Sequence, residues 1–492
     1  MEKNTVIINK KTASTTKTLE VIGDVIVPDI KPDIVNIINT NGIPYIYKED
    51  ITTGRVRLDG NIDTYVVYLA DNGETRSIQT TLSFSDSIEE ATITEKSFSK
   101  ENISLEMIEA KVLNERKISI RASVKVRSEI FEQSQIEITS DFNEIENVEK
   151  LKETLDIKSI VGSNRIKTSI KEDISVDSSF SVAELLKTDV EITNLENKIS
   201  YNKVLAKADA NVKVVFLSED GRIGVADSTI PVMSFIDIDK ITDTHTCNVE
   251  YSIRNMLFKV NSKEMHSVIA CQIDFEVSCE AFETKTIDVI QDMYGIKNNI
   301  EFTKREVEVQ VSQKESIEKI NINERVGIED ILNICDVNCK PRLVNRTRSG
   351  NYFNCECEMN MSIYYEANNR NGLNVKDITL PFMIKTESEE EFAFSISRKQ
   401  FTVSNENVNC DIEVLARKES DSLKRITVID NVSSSENEED DEYKMFMYFV
   451  KSGDTIWNIA KRFRVCMKDI IALNNLENPD RINVGDRLYI MR

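Results

Sequence analysis

Apolar and polar residues alternate one by one over long stretches of this chain, which is the pattern of a strand with one buried and one wet face. Three stretches show the alternation most clearly. The positions on one face are Val56, Leu58, Gly60, Ile62, Thr64, Val66 and Tyr68; then Val204, Ala206, Ala208, Ala210, Val212, Val214 and Phe216; and then Phe353, Cys355, Cys357, Met359, Met361, Ile363 and Tyr365. We predict a long half-buried strand at each place.

These strands belong to a repeat. VVYLADNG around Tyr68 recurs as VVFLSEDG around Phe216 and more loosely as SIYYEANNRNG around Tyr365, at spacings of 148 and 149 residues. Each copy contains an Asn-Gly or Asp-Gly pair that accepts positive φ and closes a hairpin, at Asn72-Gly73, Asp220-Gly221 and Asn371-Gly372. A period this long predicts domains with cores of their own rather than the turns of a solenoid.

Each repeat contains further predicted strands and short helical segments. Alternation continues in Ile118–Val126, Val268–Val277 and Cys410–Ala416. A helical pattern is confined to four short pieces, at Ile34–Ile38, Val182–Leu186, Ile328–Leu332 and Val148–Leu155. We therefore predict a mainly β protein with three antiparallel β-rich domains in tandem.

The composition divides the chain into five parts. The three repeats are assigned to residues 1–148, 149–298 and 299–430. Residues 431–445 contain the acidic run SSSENEEDDE, which is too polar to bury a core and is predicted to be an extended linker. Residues 446–492 form a separate small domain.

The pattern of this tail predicts the order β-α-α-β. MYFV and RLYI are its two strands, and Ser452-Gly453-Asp454-Thr455 is a turn with candidate helix caps. Ile456, Ile459, Ala460 and Phe463 then form one apolar helix face. A second short helix is predicted around Ile470, Ile471, Leu473 and Leu476.

The tail closely resembles the LysM family in VKSGDTIWNIA (450–460), IIALN (470–474) and NPDRINVGDRLYI (478–490). The resemblance implies a shallow groove for N-acetylglucosamine-containing glycans between two loops. In this sequence the groove residues are Gly453, Asp454, Thr455 and Ile456 facing Asn478, Pro479, Asp480, Arg481 and Ile482. Trp457, the only tryptophan, completes the candidate set; packing against the module is favoured over stacking on a ligand.

The first repeat resembles the SPOCS domain of clostridial spore-coat proteins in VPDIKPDIVNII (27–38), GRVRLDG (54–60) and VVYL. VIQDMYGIKNNIEF (289–302) resembles the stretch that this family places before its last repeat. SPOCS repeats followed by one LysM domain resemble the SipL-type coat morphogenetic proteins. That resemblance implies a protein of the mother-cell cytosol that binds the coat ATPase SpoIVA, with a contribution from LysM, at the forespore surface.

The net charge, the apolar runs and the number of histidines narrow the possible classes of function. The net charge of −22 argues against nucleic acid or an anionic membrane surface as a partner. The first residues lack the apolar core of a secretory signal, and no apolar run is long enough to span a bilayer, so we expect a cytosolic chain without membrane insertion. There are two histidines, in unrelated contexts, and we found no catalytic motif, so we expect neither an enzyme nor a cofactor.

Four cysteines raise the alternative of a zinc site, namely Cys335, Cys339, Cys355 and Cys357. Their spacing differs from the common zinc knuckles, and the last two fall on the apolar face of a predicted strand. Small buried hydrophobic residues are the simpler interpretation, so no metal is predicted.

The sequence thus favours a non-enzymatic scaffold of spore-coat assembly that binds a SpoIVA-like ATPase. The alternative is an adaptor whose LysM domain reads peptidoglycan in the wall or cortex. A wall hydrolase would need a catalytic domain, and none of the repeats offers one.

Overall fold

The computed structural model describes residues 2–142, 145–263, 266–312, 316–350, 352–368, 370–386, 392–404, 406–418, 421–436, 444–478 and 481–491. It is a mainly β protein with three β-rich repeats and a small α/β tail, as predicted. No helix in the described part of the chain has the length and apolar character needed to cross a bilayer.

The first repeat consists of six strands in two antiparallel sheets. The strands are β1 (Glu2–Ile26), β2 (Ile34–Thr52), β3 (Arg55–Ala70), β4 (Thr75–Glu89), β5 (Phe98–Asn114) and β6 (Lys117–Asp141). The inner sheet has the order β2-β3-β4 and the outer sheet β1-β6-β5. Their facing apolar residues, among them Leu58, Tyr68, Ile120 and Val124, form one core.

The second and third repeats follow the same plan. The second has β7 (Val148–Ser175), β8 (Val182–Ser200), β9 (Lys203–Ser218), β10 (Ile223–Asp237), β11 (Thr246–Lys263) and β12 (His266–Gly295). The third has β13 (Asn298–Ser312), β14 (Ser316–Gly327), β15 (Ile331–Ser349), β16 (Tyr352–Ala367), β17 (Arg370–Thr386), β18 (Phe392–Ser404), β19 (Asn407–Lys418) and β20 (Asp421–Glu436). The inner sheets are β10-β9-β8 and β15-β16-β17. In the outer sheets, β14-β19-β18 stands alone, and β11-β12-β7-β13-β20 joins strands of both repeats.

The alternating stretches are the central strands of the three inner sheets, β3, β9 and β16. Val56, Leu58, Ile62, Val66 and Tyr68 are each no more than 1% exposed, as the alternation predicted. The hairpin turn in the first repeat has Gly73 at φ +82°, and the equivalent turn in the second has Gly221 at φ +85°. A residue with a Cβ would be strained at either position.

The four predicted helical pieces are wrong. Ile34–Ile38 and Val182–Leu186 begin the edge strands β2 and β8, and the first two of the three register shifts in each strand fall here, at equivalent positions. A bulge adds a residue to one strand, so the apolar positions fall three or four apart and imitate a helix. Ile328–Leu332 consists of a turn and the first two residues of β15. Val148–Leu155 is the start of β7, where pairing with β12 along the whole strand overrides the local pattern.

The repeats have cores of their own, but they also share two clusters. The far ends of the long outer strands pack together through residues from all three repeats, and we call this part the stalk: Val6, Ile138, Ile157, Val289, Val309 and Val428. The inner sheets meet in a second group, the axial cluster, at repeat-equivalent positions: Ile38, Leu186 and Cys335, with Val67, Val215 and Tyr364. The repeats are therefore packed on one another and are not separate beads.

The start of the predicted acidic linker is also ordered. Asn431 to Glu436 continue β20, and residues of this stretch pair with β13, for example Ser434 with Ile300. Val432 packs beside Phe142, Ile290 and Ile429, which explains why the strand runs beyond the predicted boundary at 430. The rest of the predicted linker, residues 437–443, lies outside the described residues.

The tail has the predicted β-α-α-β order. Its elements are β21 (Met445–Phe449), α1 (Ile456–Phe463), α2 (Met467–Leu473) and β22 (Arg487–Met491). The two strands pair antiparallel, and their inner face packs on both helices through Ile456, Ile459, Ile470, Leu488 and Ile490. Leu476 lies beyond the end of α2 and packs on the edge of this core.

Candidate binding groove and docking face of the tail

The first loop of the predicted groove is a tight turn between β21 and α1. Gly453 has φ +85°, and a Cβ added there would meet open space. The Asp454 carboxylate accepts hydrogen bonds from the Tyr448 hydroxyl at 2.6 Å and from the Lys451 amide at 2.8 Å. The Asp454 side chain is 8% exposed, so it holds the turn together and is not presented to a ligand.

The charges around this turn reinforce it. The hydrogen bond from Tyr448 is the main reason that the pKa of Asp454 lies below its usual value, and the Lys451 amide adds to the effect. The same hydrogen bond raises the pKa of Tyr448. Arg462 Nη1 donates to the Tyr448 oxygen at 2.6 Å, which joins the last turn of α1 to the loop. The loop is thus preorganised by three side chains.

Thr455 and Ile456 begin α1. The Thr455 Oγ1 accepts from the Asn458 amide at 3.1 Å and caps the helix. Ile456 is 2% exposed and belongs to the tail core. Of the first four predicted groove residues, only Gly453 and Thr455 present an exposed surface.

The second loop approaches the same core from the other side. Ile482 is half-buried against the cluster that contains Ile456. Asn478 and Arg481 are exposed, and the Arg481 amide donates to the Asn478 carbonyl at 3.2 Å. Pro479 and Asp480 lie outside the described residues. The described groove is therefore lined by backbone and by few side chains, which suits recognition of acetamido groups or of a protein backbone.

Trp457 lies on a different face of the tail. Its indole is 8% exposed and packs on Tyr294 of β12, with ring centroids 5.0 Å apart. Its Nε1 donates to Asp292 Oδ2 at 2.9 Å. The structure thus separates Trp457 from the exposed loop residues and assigns it to contact with the second repeat.

Around Trp457, polar contacts form a docking face between the tail and the parts of β7, β12 and β13 that lie next to the stalk. Lys461 Nζ donates to both oxygens of Asp292, at 2.7 and 2.8 Å. The Tyr294 hydroxyl donates to the Val465 carbonyl at 2.7 Å. Arg464 donates to Asn299 at 2.7 Å, and the Cys466 thiol to Glu149 at 3.0 Å.

Asp292 is the centre of this docking face. Burial alone would raise its pKa, but the hydrogen bonds from Lys461 and Trp457 outweigh burial and lower it. Asp292, Tyr294 and Asn299 all lie in VIQDMYGIKNNIEF, the segment whose family resemblance was visible in the sequence. The family resemblance identified this segment in the sequence. The pattern of its residues does not indicate that the tail packs on it.

The four cysteines weighed as a zinc site lie in different places. Cys335 belongs to the axial cluster, whereas Cys355 and Cys357 are in the core of the third repeat. Burial raises the pKa of Cys335 and Cys339 to about 12, which favours the thiol over the thiolate that metals need. Among the described residues, no three His, Cys, Asp or Glu side chains are grouped so that they could hold a metal ion.

Comparison with known families agrees with this geometry. The family model of the SipL, SPOCS domain matches residues 181–261, and that of the LysM domain matches residues 448–490. The chain carries a SPOCS domain and a LysM domain. No curated protein and no solved structure matches the chain at a significant level.

The SPOCS match corresponds to the inner sheet of the second repeat together with β11. The first and third repeats have the same inner sheet and bulge at the equivalent positions in their first inner strand. Both matched families are binding domains without catalytic activity. The chain is a sporulation-related interaction protein with a LysM domain of the peptidoglycan-binding type.

Proposed function

We propose that this protein is a non-enzymatic scaffold of spore-coat assembly. It would bind a SpoIVA-type coat morphogenetic ATPase, partly through the LysM domain, in the mother-cell cytosol at the forespore surface. The observation that carries the proposal is the docking of LysM on the SPOCS repeats through Trp457, Lys461 and Asp292. A domain fixed in this way presents its remaining surface at a set position, which lowers the entropic cost of binding a protein partner.

A fluorescent fusion observed during sporulation tests this proposal. The intact chain is expected to accumulate around the forespore, because the coat ATPase recruits it. Removal of residues 446–492 is expected to leave the repeats folded, since their cores do not depend on the tail, but to disperse the signal through the mother cell. Normal localisation without the tail would refute a recruiting role for LysM.

The second candidate is a peptidoglycan-binding adaptor of the wall or cortex. The exposure of Gly453, Thr455 and Arg481 in the docked tail favours it, because the glycan-binding loops stay accessible. Sedimentation of the intact protein with isolated peptidoglycan measures this activity. The Arg481→Glu variant is expected to lose binding if the groove is used, whereas Lys468→Glu on the exposed surface of α2 makes the same charge change away from it.

A further inference from the structure

The three repeats close into a ring within one chain. The first inner strand of each repeat packs on the inner sheet of another repeat: β8 on β4, β15 on β10, and β2 on β17. Because these strands are repeat-equivalent, every junction of the ring is built on the same plan. Gly372, at the tip of the third inner sheet, lies directly against Thr75 where the third repeat meets the first.

The junctions differ in what fills them. Between the first and second repeats, Tyr45 and Tyr65 are buried in the core of the second repeat. The equivalents of Tyr65 are Lys213 and Ser362, and Arg342 stands in place of Tyr45 in the third repeat. These residues are smaller or charged and cannot fill the space as tyrosine does. An opening therefore remains at the two other junctions, beside the packed axial cluster.

This opening is a cavity of about 1830 Å³ lined by all three repeats. Small-molecule sites usually measure about 300–1,000 Å³, so the space is large enough for a segment of polypeptide. Its lining includes β8 and β15, edge strands of two inner sheets that each pair on one side only in the described part of the chain. Backbone N–H and C=O groups on the unpaired side of such a strand are a template for a further strand.

The cavity wall is rigid where the repeats meet. Lys187, 1% exposed, is ion-paired with Asp336 of the third repeat and donates to Asn338 Oδ1 at 2.9 Å. Its ammonium also lies 4.7 Å from the centre of the Tyr364 ring. Lys213 reaches the other oxygen of Asp336 at 2.7 Å. Such a network holds the cavity open before any ligand arrives.

The charge of the lining indicates what the cavity accepts. Six basic and seven acidic side chains line it, so it is close to neutral although the chain as a whole carries −22. Lys340 and Lys399 are exposed there, and neither forms an ion pair among the described residues. A strongly acidic or strongly basic segment would leave like charges facing each other at short distance.

We propose that the ring cavity binds an extended peptide segment of a partner protein, of low net charge, which adds as a strand to the open edge of one inner sheet and pairs on that side only. Backbone hydrogen bonds would supply the affinity, and the side chains of the walls would select the sequence. This site is distinct from the LysM groove, and its existence does not depend on which partner LysM takes.

The test uses the intact protein and a phage library of random twelve-residue peptides. Enriched peptides are synthesised, and their dissociation constants are measured by fluorescence anisotropy. Each peptide is then N-methylated at one residue at a time. Strand addition predicts that every second N-methyl group weakens binding by about three- to tenfold, because alternate amides of an edge strand point to its neighbour. Uniform or absent effects would exclude strand addition.

The repeats provide matched variants that locate the site. Thr229 and Thr379 line the cavity, and each donates to an asparagine Oδ1, at 2.9 and 3.0 Å. Thr81 is their equivalent in the first repeat, donates to Asp63 at 2.9 Å, and does not line the cavity. Thr229→Trp and Thr379→Trp are expected to weaken peptide binding by about tenfold or more, and Thr81→Trp to change it by less than about twofold.

All three variants are checked for an unchanged thermal unfolding midpoint. Failure of the library to yield any binding peptide overturns the proposal. Equal binding by the wild type and both cavity variants also overturns it, because the peptides then bind elsewhere on the protein.

Discussion

At the scale of single residues, Asp292 connects the second repeat to the LysM domain. Its carboxylate accepts hydrogen bonds from Lys461 Nζ and from the indole of Trp457, and its side chain is 16% exposed. Trp457 is the only tryptophan, so its emission reports this contact without labelling. We therefore expect the Asp292 carboxylate to contribute strongly to holding LysM on the second repeat.

The docked state is expected to depend on pH. The folded pKa of Asp292 is depressed, so its contribution to docking is complete above the ordinary carboxylate pKa of about 4 and is lost as pH falls through the lower folded value. The emission of Trp457 should then shift to the red before the β structure unfolds, as followed by circular dichroism.

The Asp292→Asn variant is the control for this titration. It removes the ion pair with Lys461 and should weaken docking by about 1–3 kcal/mol at neutral pH, with a red-shifted emission that no longer titrates below pH 4. Identical emission of the variant and the wild type would contradict the assignment of Asp292.

At the scale of elements, one cross-strand pair of the inner sheet shows compensating volumes in the first and second repeats. Gly60 in β3 lies opposite Phe84 in β4, and a Cβ on this glycine would overlap the phenylalanine ring. The equivalent pair in the second repeat is Ala208 with Val232. Between these two repeats, the larger residue at one position accompanies the smaller residue opposite it, as close packing favours. The third repeat has Cys357 opposite Phe382.

This compensation predicts the behaviour of a single and a double variant. Gly60→Ala should lower stability by about 1–3 kcal/mol, because Phe84 must move out of its packed position. Adding Phe84→Val reproduces the pair of the second repeat and should restore most of the loss. Thermal unfolding of the two variants checks this, and a double variant no more stable than the single one would argue against it.

The elements also show how far the sequence could be read. Strands with a strict alternation, such as Val56 to Tyr68, and the helix from Ile456 to Phe463 were predictable, because the buried face repeats with a fixed period. The edge strand that begins at Ile34 was not, because its bulges break that period. In the groove, the turn of Gly453 was visible in the sequence. The inward orientation of Asp454 was not, because it depends on Tyr448.

At the scale of the whole molecule, packing between repeats was hidden from the sequence. Nothing in the amino-acid sequence distinguishes Tyr45, Tyr65 and Lys187 from other residues of their strands. Only their three-dimensional neighbours show that they lie at junctions between repeats. The result is a ring of repeats, a shared stalk, and LysM docked on the strands next to that stalk. The described parts of the chain thus pack into one connected structure.

The junction between the second and third repeats should depend on Lys187. Lys187→Met leaves Asp189 and Asp336 with less compensating charge and should destabilise the protein by about 3–5 kcal/mol. Lys213→Met removes the exposed partner of the same Asp336 and should cost less than about 1 kcal/mol. The two thermal unfolding midpoints are compared directly. A similar loss in both variants would show that burial of Lys187 does not matter.

The central claim is that LysM, held on the β-rich repeats, contributes to binding a coat morphogenetic ATPase. The most direct measurement is the affinity of the purified intact chain for that ATPase, compared with a chain lacking residues 446–492. The account predicts that the intact chain binds at least about tenfold more tightly than the shortened one. Equal affinities, or an intact chain that binds peptidoglycan and not the ATPase, would contradict it.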